Sequence, residues 1–171
     1  IKAVVEEAHN WGRKVAAHAH GDTAARIAID AGVDSIEHGS FLSEATLKLM
    51  KAKGVFLVPT CTAIDWVESH ADNYPPNIAD KARVASKAHH DMLRAAIRIG
   101  VPIAAGTDMS VVDKGHGKNA TEMVLLARYG MRPGAALVAG THDAARLLGI
   151  AERVGTIEIG KDAHIVAVAG D

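Results

Sequence analysis

The chain has a single cysteine. With Cys61 alone no intrachain disulfide framework can form, which fits a reducing compartment and points to the cytoplasm. Neither sign of charge is in excess, with 19 Lys plus Arg against 20 Asp plus Glu. There is therefore no electrostatic case for a nucleic-acid partner or an anionic membrane surface. No apolar run approaches the roughly 20 residues needed to span a bilayer, and the opening IKAVVEEAHNWG is not organised as a signal peptide. A nucleophile-elbow serine is missing and Cys61 has no assigned partner, so covalent catalysis is poorly supported.

What is present is enough for a sizeable core: 171 residues, 49% of them hydrophobic, read as one domain. Its organising stretch is KVAAHAHGDTAARIAIDAGVDSIEHG, Lys14 to Gly39. A short apolar run, Lys14 to Ala17, ends in His18 and His20 and is followed by Gly21. Ala24, Ala25, Ile27, Ala28 and Ala31 then recur at helical spacing up to Gly32, and a second run, Val33 to Ile36, ends in Glu37 and His38. The order is strand, His, helix, strand, His. Parallel strands deliver their C-terminal residues to one edge of the sheet, which is where α/β folds bind ligands. Two imidazoles meeting there can hold a metal, share a proton or bind an anion; alternatively they are unrelated loop histidines.

The same grammar continues. Ser43 is placed to cap a helix that ends at Gly54, and VFLVPT, Val55 to Thr60, reads as a third strand. From Cys61 to Asn77 the pattern weakens and Pro75-Pro76 forces a break; this connection suits a lid or substrate wall, with Asp65 and His70 solvated. A long helix, Ile78 to Ile99, follows, with His89 and His90 read as surface or packing residues. VPIAAGTD supplies a fourth strand, Val101 to Ala105, ending at Asp108. Taken alone, Asp108 is a turn or cap residue; beside two imidazoles it supplies what a divalent cation or a hydrolytic water needs. A glycine-flanked His116 precedes a helix from Asn119 to Tyr129; Pro133 starts another, and Thr141 or His142 begins a third that runs through Leu148 and is stopped by Gly149. The tail changes character: Gly155 to Ile159 and His164 to Ala169 read as a hairpin joined by GKDA. At the other end, Ile1, Val4, Val5, Ala8 and Trp11 share one face of a helix in which the chain opens without Met or cap, which suggests a fragment.

HAHGD (His18 to Asp22), IEHG (Ile36 to Gly39), AGTD (Ala105 to Asp108), THDAARLLGI and VGTIEIGKDAHIVAV together resemble the amidohydrolase superfamily, in its imidazolonepropionase-like and prolidase-like metallopeptidase branch. The resemblance covers essentially the whole chain. It implies an α/β fold: the second half, strands five to eight, of a TIM-type (β/α)8 barrel over residues 1–150, with residues 151–171 belonging to a small flanking β-sandwich. It also implies one or two divalent metals, commonly zinc, per complete barrel. His18 and His38 would be metal ligands, and Asp108 both a ligand and the general base. His20, His116 and Asn119 would contact substrate. The residues alone leave open which of His18 and His20 is the ligand.

The resemblance further implies hydrolysis of an amide or peptide C–N bond in a dipeptide, an N-acyl amino acid or a cyclic amide. The family's HxH pair and bridging residue have no counterpart here, so an isolated half-barrel is expected to be inactive, with open edges that favour association, a homo-oligomer included. One rival reading is a metal-free barrel that binds a small molecule without turnover. Another is a metal-independent lyase or aldolase barrel, but no strand end carries the lysine such an enzyme would use.

Overall fold

The computed structural model describes residues 1–108 and 117–170. Helix α1 (Lys2–Asn10) leads into strand β1 (Ala16–Gly21), helix α2 (Asp22–Ala31), strand β2 (Ser35–Phe41), helix α3 (Glu44–Lys53) and strand β3 (Phe56–Val58). The three strands are parallel in the order β1-β2-β3. Each β-to-β connection is a helix that ends on a left-handed glycine, Gly32 or Gly54. Ser43 caps α3 by accepting from the Thr46 amide at 3.3 Å. Helix α2 buries Ala25, Ala28 and Ile29 against the strands and leaves Ile27 in solvent. At 100° per residue Ile29 shares the face of Ala25 and Ala28 and Ile27 does not.

After β3 come helix α4 (Cys61–Ser69), a single 3-10 turn at Ala71–Asn73, and helix α5 (Pro76–Ile99), which starts on the second proline of the pair. Helix α5 lies across β2 and buries Met92, Leu93 and Ala96 in the core that also holds Ile29, Ile36, Leu47, Met50 and Leu57. Helices α6 (Thr121–Arg128), α7 (Pro133–Gly140) and α8 (His142–Leu148) pack in succession. Among the described residues no helix is long and apolar enough to cross a membrane.

Four expectations change. Strands β1 and β2 run through their histidines, because parallel pairing continues past the point where apolar patterning stops. The fourth strand shrinks to one parallel bridge, Leu57 to Ile103. Pro102 has no amide to donate, and the Ala105 amide turns to the Ala139 carbonyl at 3.0 Å. Residues 155–170 form no strand: Ile157, Ile159, Val166 and Val168 are exposed, as expected where a hairpin has no sheet to pack on. On α1 only Val5 is buried, while Ile1, Val4 and Trp11 face solvent.

His89 is fully buried, with its Nε2–H donating to the Pro59 carbonyl at 2.7 Å. Burial lowers its pKa to about 4 against an ordinary 6.5. Between those values the unfolded chain binds a proton that the folded chain refuses, so stability falls as the pH drops through this window. Removing this histidine in His89→Gln should flatten the loss by on the order of 3 kcal/mol, measured as urea midpoints at pH 7 and pH 4.5. In the core, Leu57→Ala should cost about 2–5 kcal/mol, against under about 0.5 kcal/mol for the exposed Ile27→Ala.

Candidate metal centre

Strand geometry puts His18 and His20, two residues apart on β1, on one side of the sheet. The register sets Glu37 of β2 opposite His18. Simple alternation would then turn His38 to the other side. His38 instead has φ +66°, which breaks the alternation and brings its ring back beside Glu37. Among the described residues only two other non-glycine residues have positive φ, Thr60 (+54°) and Asp108 (+49°). All three line one cleft of about 340 Å³ that His18, Glu37 and Thr107 share. A left-handed non-glycine backbone costs about 1–3 kcal/mol per residue, and here that cost falls wholly on the carboxyl edge of the sheet.

Close backbone approach makes this arrangement possible. At Gly39, φ +66°, a Cβ would lie 2.9 Å from a Leu42 methyl carbon; at Gly106 it would lie 2.6 Å from a Val58 methyl carbon. Either side chain would push apart the segments that carry His38 and Asp108.

The three imidazoles converge. His38 Nε2 lies 2.8 Å from His18 Nδ1, and the His20 and His38 rings stack with centroids 4.8 Å apart. Each of these two rings is anchored through its other nitrogen: His38 Nδ1 to the Thr60 hydroxyl at 2.7 Å, His20 Nδ1 to the Ser40 hydroxyl at 2.9 Å. Burial, reinforced by the neighbouring imidazoles, lowers His38 to about 4, and burial lowers His20 in the same direction. Both rings are therefore neutral near pH 7 and keep a lone pair. Glu37, held by the Ser35 hydroxyl at 2.6 Å, is shifted upward by burial and by Asp108.

This donor set fits a divalent cation. One nitrogen from each histidine lies within 4.8 Å of the others. Two zinc–nitrogen bonds of about 2.0–2.1 Å at a tetrahedral angle hold their nitrogens roughly 3.4 Å apart, so side-chain rotations of about an ångström would bring the three rings to one ion. Imidazoles anchored through the far nitrogen are what such ions favour.

The structure thus brings His18, His20, His38 and Asp108 to one edge. Asn119 is exposed and meets the edge through Thr107, whose hydroxyl donates to Asn119 Oδ1 at 3.4 Å. His116 lies outside the described residues. Asp65 is not solvated: it is partly buried, accepts from the Tyr129 hydroxyl at 2.9 Å and pairs with His90 at 2.9 Å. Sequence reasoning passed over Glu37, Ser40, Thr60 and Glu122. Glu37 was findable as a carboxylate in register with His18. Thr60 and Glu122 carry no local signal, because their partners lie 22 and about 60 residues away.

The parallel α/β fold thus gathers at its strand ends three imidazoles that could hold a metal ion, beside a carboxylate. The chain matches the amidohydrolase family over residues 1–171 and belongs to it. It is similar in structure to a Xaa-Pro dipeptidase with methionine bound in the active site, at TM-score 0.87 and 41% identity over 95% of this chain and 40% of that one. Ochratoxinase of Aspergillus niger is 33% identical over 171 residues, 98% of this chain and 35% of its own length, and its crystal structure superposes with TM-score 0.84. Imidazolonepropionase of Thermoplasma volcanium is 39% identical over 79 residues, 46% of this chain and 19% of its own. The chain spans 40% or less of these relatives' lengths.

Replacement of the close-packed Gly39 by Ala should destabilise the fold by about 1–3 kcal/mol, since it adds both overpacking and a strained φ. Chemical denaturation checks this against Gly160→Ala, where a Cβ meets nothing within 4 Å and only the strain at φ +92° remains.

Proposed function

We propose that this chain supplies strands five to eight of a (β/α)8 barrel (residues 1–150) and part of a flanking β-sandwich (residues 151–171). The complete protein would be a metal-dependent amidohydrolase cleaving the C–N bond of a dipeptide, an N-acyl amino acid or a cyclic amide. The observation that carries this reading is the convergence of His18, His20 and His38, with ligating atoms within 4.8 Å, beside the cleft that Asp108 lines.

His18 and His38 hold the ion, zinc by donor type, with Asp108 as the oxygen donor. When bound, a divalent cation lowers the pKa of water towards about 7 and polarises a carbonyl. Asp108 accepts the proton of the attacking water and delivers it to the departing nitrogen. Burial keeps His38 toward the neutral form, which leaves it a lone pair for a metal ion. His20, His116 and Asn119 contact the substrate. The Xaa-Pro dipeptidase relative supports a dipeptide as the first substrate to try. A half-barrel with three ligands binds metal weakly by itself, so this chain alone is inactive.

Elemental analysis of the complete protein should find stoichiometric zinc or a similar metal that drops in His18→Ala and His38→Ala. Asp108→Asn should lower kcat by about 10²–10⁴-fold on a responsive Xaa-Pro dipeptide or N-acyl amino acid. A protein that takes up no metal after zinc reconstitution would overturn the mechanism and leave a non-catalytic binding barrel.

A further inference from the structure

Helix α4 begins without a cap of its own. Thr60 occupies the N-cap position, but its left-handed backbone, φ +54° and ψ +44°, is not the extended conformation from which a threonine hydroxyl reaches back to the helix amides. That hydroxyl is bonded to His38 Nδ1 instead. The first two amides of the helix, both buried, are taken by a carboxylate from far along the chain. Glu122 of α6, fully buried, accepts from the Cys61 amide through Oε1 at 2.8 Å and from the Thr62 amide through Oε2 at 2.9 Å. Its Oε2 also accepts from the Thr62 hydroxyl at 2.6 Å. On the other side of the same turn, His89 of α5 holds the Pro59 carbonyl. Residues 59–62 are thus gripped from two helices, and the one side chain of the turn released from capping is the one that orients His38.

We propose that Glu122 is a positioning residue for the metal centre: by capping α4 in place of Thr60 it frees the Thr60 hydroxyl to fix the ring of His38. A carboxylate is the right group because it offers two acceptors to two parallel donors and negative charge to a helix N-terminus. A residue confined to stabilising α4 would need no link to His38; here the chain of contacts runs from Glu122 through the Cys61 and Thr62 amides to Thr60 and on to Nδ1. The inference rests on the reading of His38 as a metal ligand.

The test uses the complete protein and two variants, Thr60→Val, which keeps the branched shape without the hydroxyl, and Glu122→Gln, which keeps the volume but replaces one acceptor by a donor. Ring-nitrogen NMR of the metal-free protein should show the His38 resonances moving in the same way in both variants, with those of His20, anchored by Ser40, unchanged. Zinc affinity, read by competition with a chelator, should fall about 10–100-fold in each, and the double variant should fall no further than the single ones. The proposal is overturned if Glu122→Gln lowers the melting temperature but leaves the His38 resonances and zinc affinity as in the parent. It is equally overturned if Thr60→Val has no effect on His38. Should Glu122→Gln fail to fold, Thr62→Val, which removes one of the three bonds to Glu122, gives the same decision from the His38 resonances. A protein without zinc uptake or hydrolysis would end the functional reading, while the metal-free spectra would still decide the role of Glu122.

Discussion

The structure depends on left-handed backbone at the ends of its strands. His38 in ordinary extended conformation would obey strand alternation and point away from His18; with φ +66° it points toward it. A β-branched residue has little tolerance for this region, yet Thr60 adopts it and so faces His38. The surroundings hold these conformations in place: a glycine at 39 that gives room beside Leu42, a buried histidine on the Pro59 carbonyl and a buried carboxylate on the next two amides. Several favourable bonds, each worth about 0.5–1.5 kcal/mol net, offset a strain of similar size.

The same packing sets the charge state of the site. Three imidazoles that were charged would repel one another across 4.5–5.0 Å between ring centroids. Burial and mutual proximity push His38 and His20 towards the neutral form, while carboxylates at Glu37 and Asp108 line the mouth of the cleft. The result is a pair of imidazoles, His20 and His38, held toward the neutral form and bordered by carboxylate side chains.

Much of this was legible in the chain. The βα alternation could be read because apolar periodicity switches at glycines that stop helices, and Gly32 and Gly54 do so. Parallel topology brought His18, His20 and His38 to one edge of the sheet, but the left-handed backbone that turns the His38 ring toward His18 carries no sequence signal. Other features required tertiary context. The apolar face of α1 was legible from its spacing, but which of its residues are buried was not: Val5 is, while Ile1, Val4 and Trp11 are exposed. The tail alternates like a hairpin, but alternation makes a strand only where another strand offers its amides and carbonyls. Glu122 sits in an ordinary helical stretch, NATEMVLLAR, and nothing about its neighbours marks a carboxylate that will be desolvated to serve a turn about 60 residues earlier.

That difference in separation orders the assembly of the site. The contacts among His18, His20, Ser40, His38 and Thr60 each close loops of 20 to 22 residues, whereas the grip of Glu122 closes loops of 60 and 61. Loop-closure entropy rises with length, by about 0.6 kcal/mol per doubling, and distant contacts are slower to find. The imidazoles can therefore gather as soon as adjacent βα units pair. The turn that aims one of them is locked only once the polypeptide has come round to α6, so the geometry of the cluster records the completion of folding of everything between.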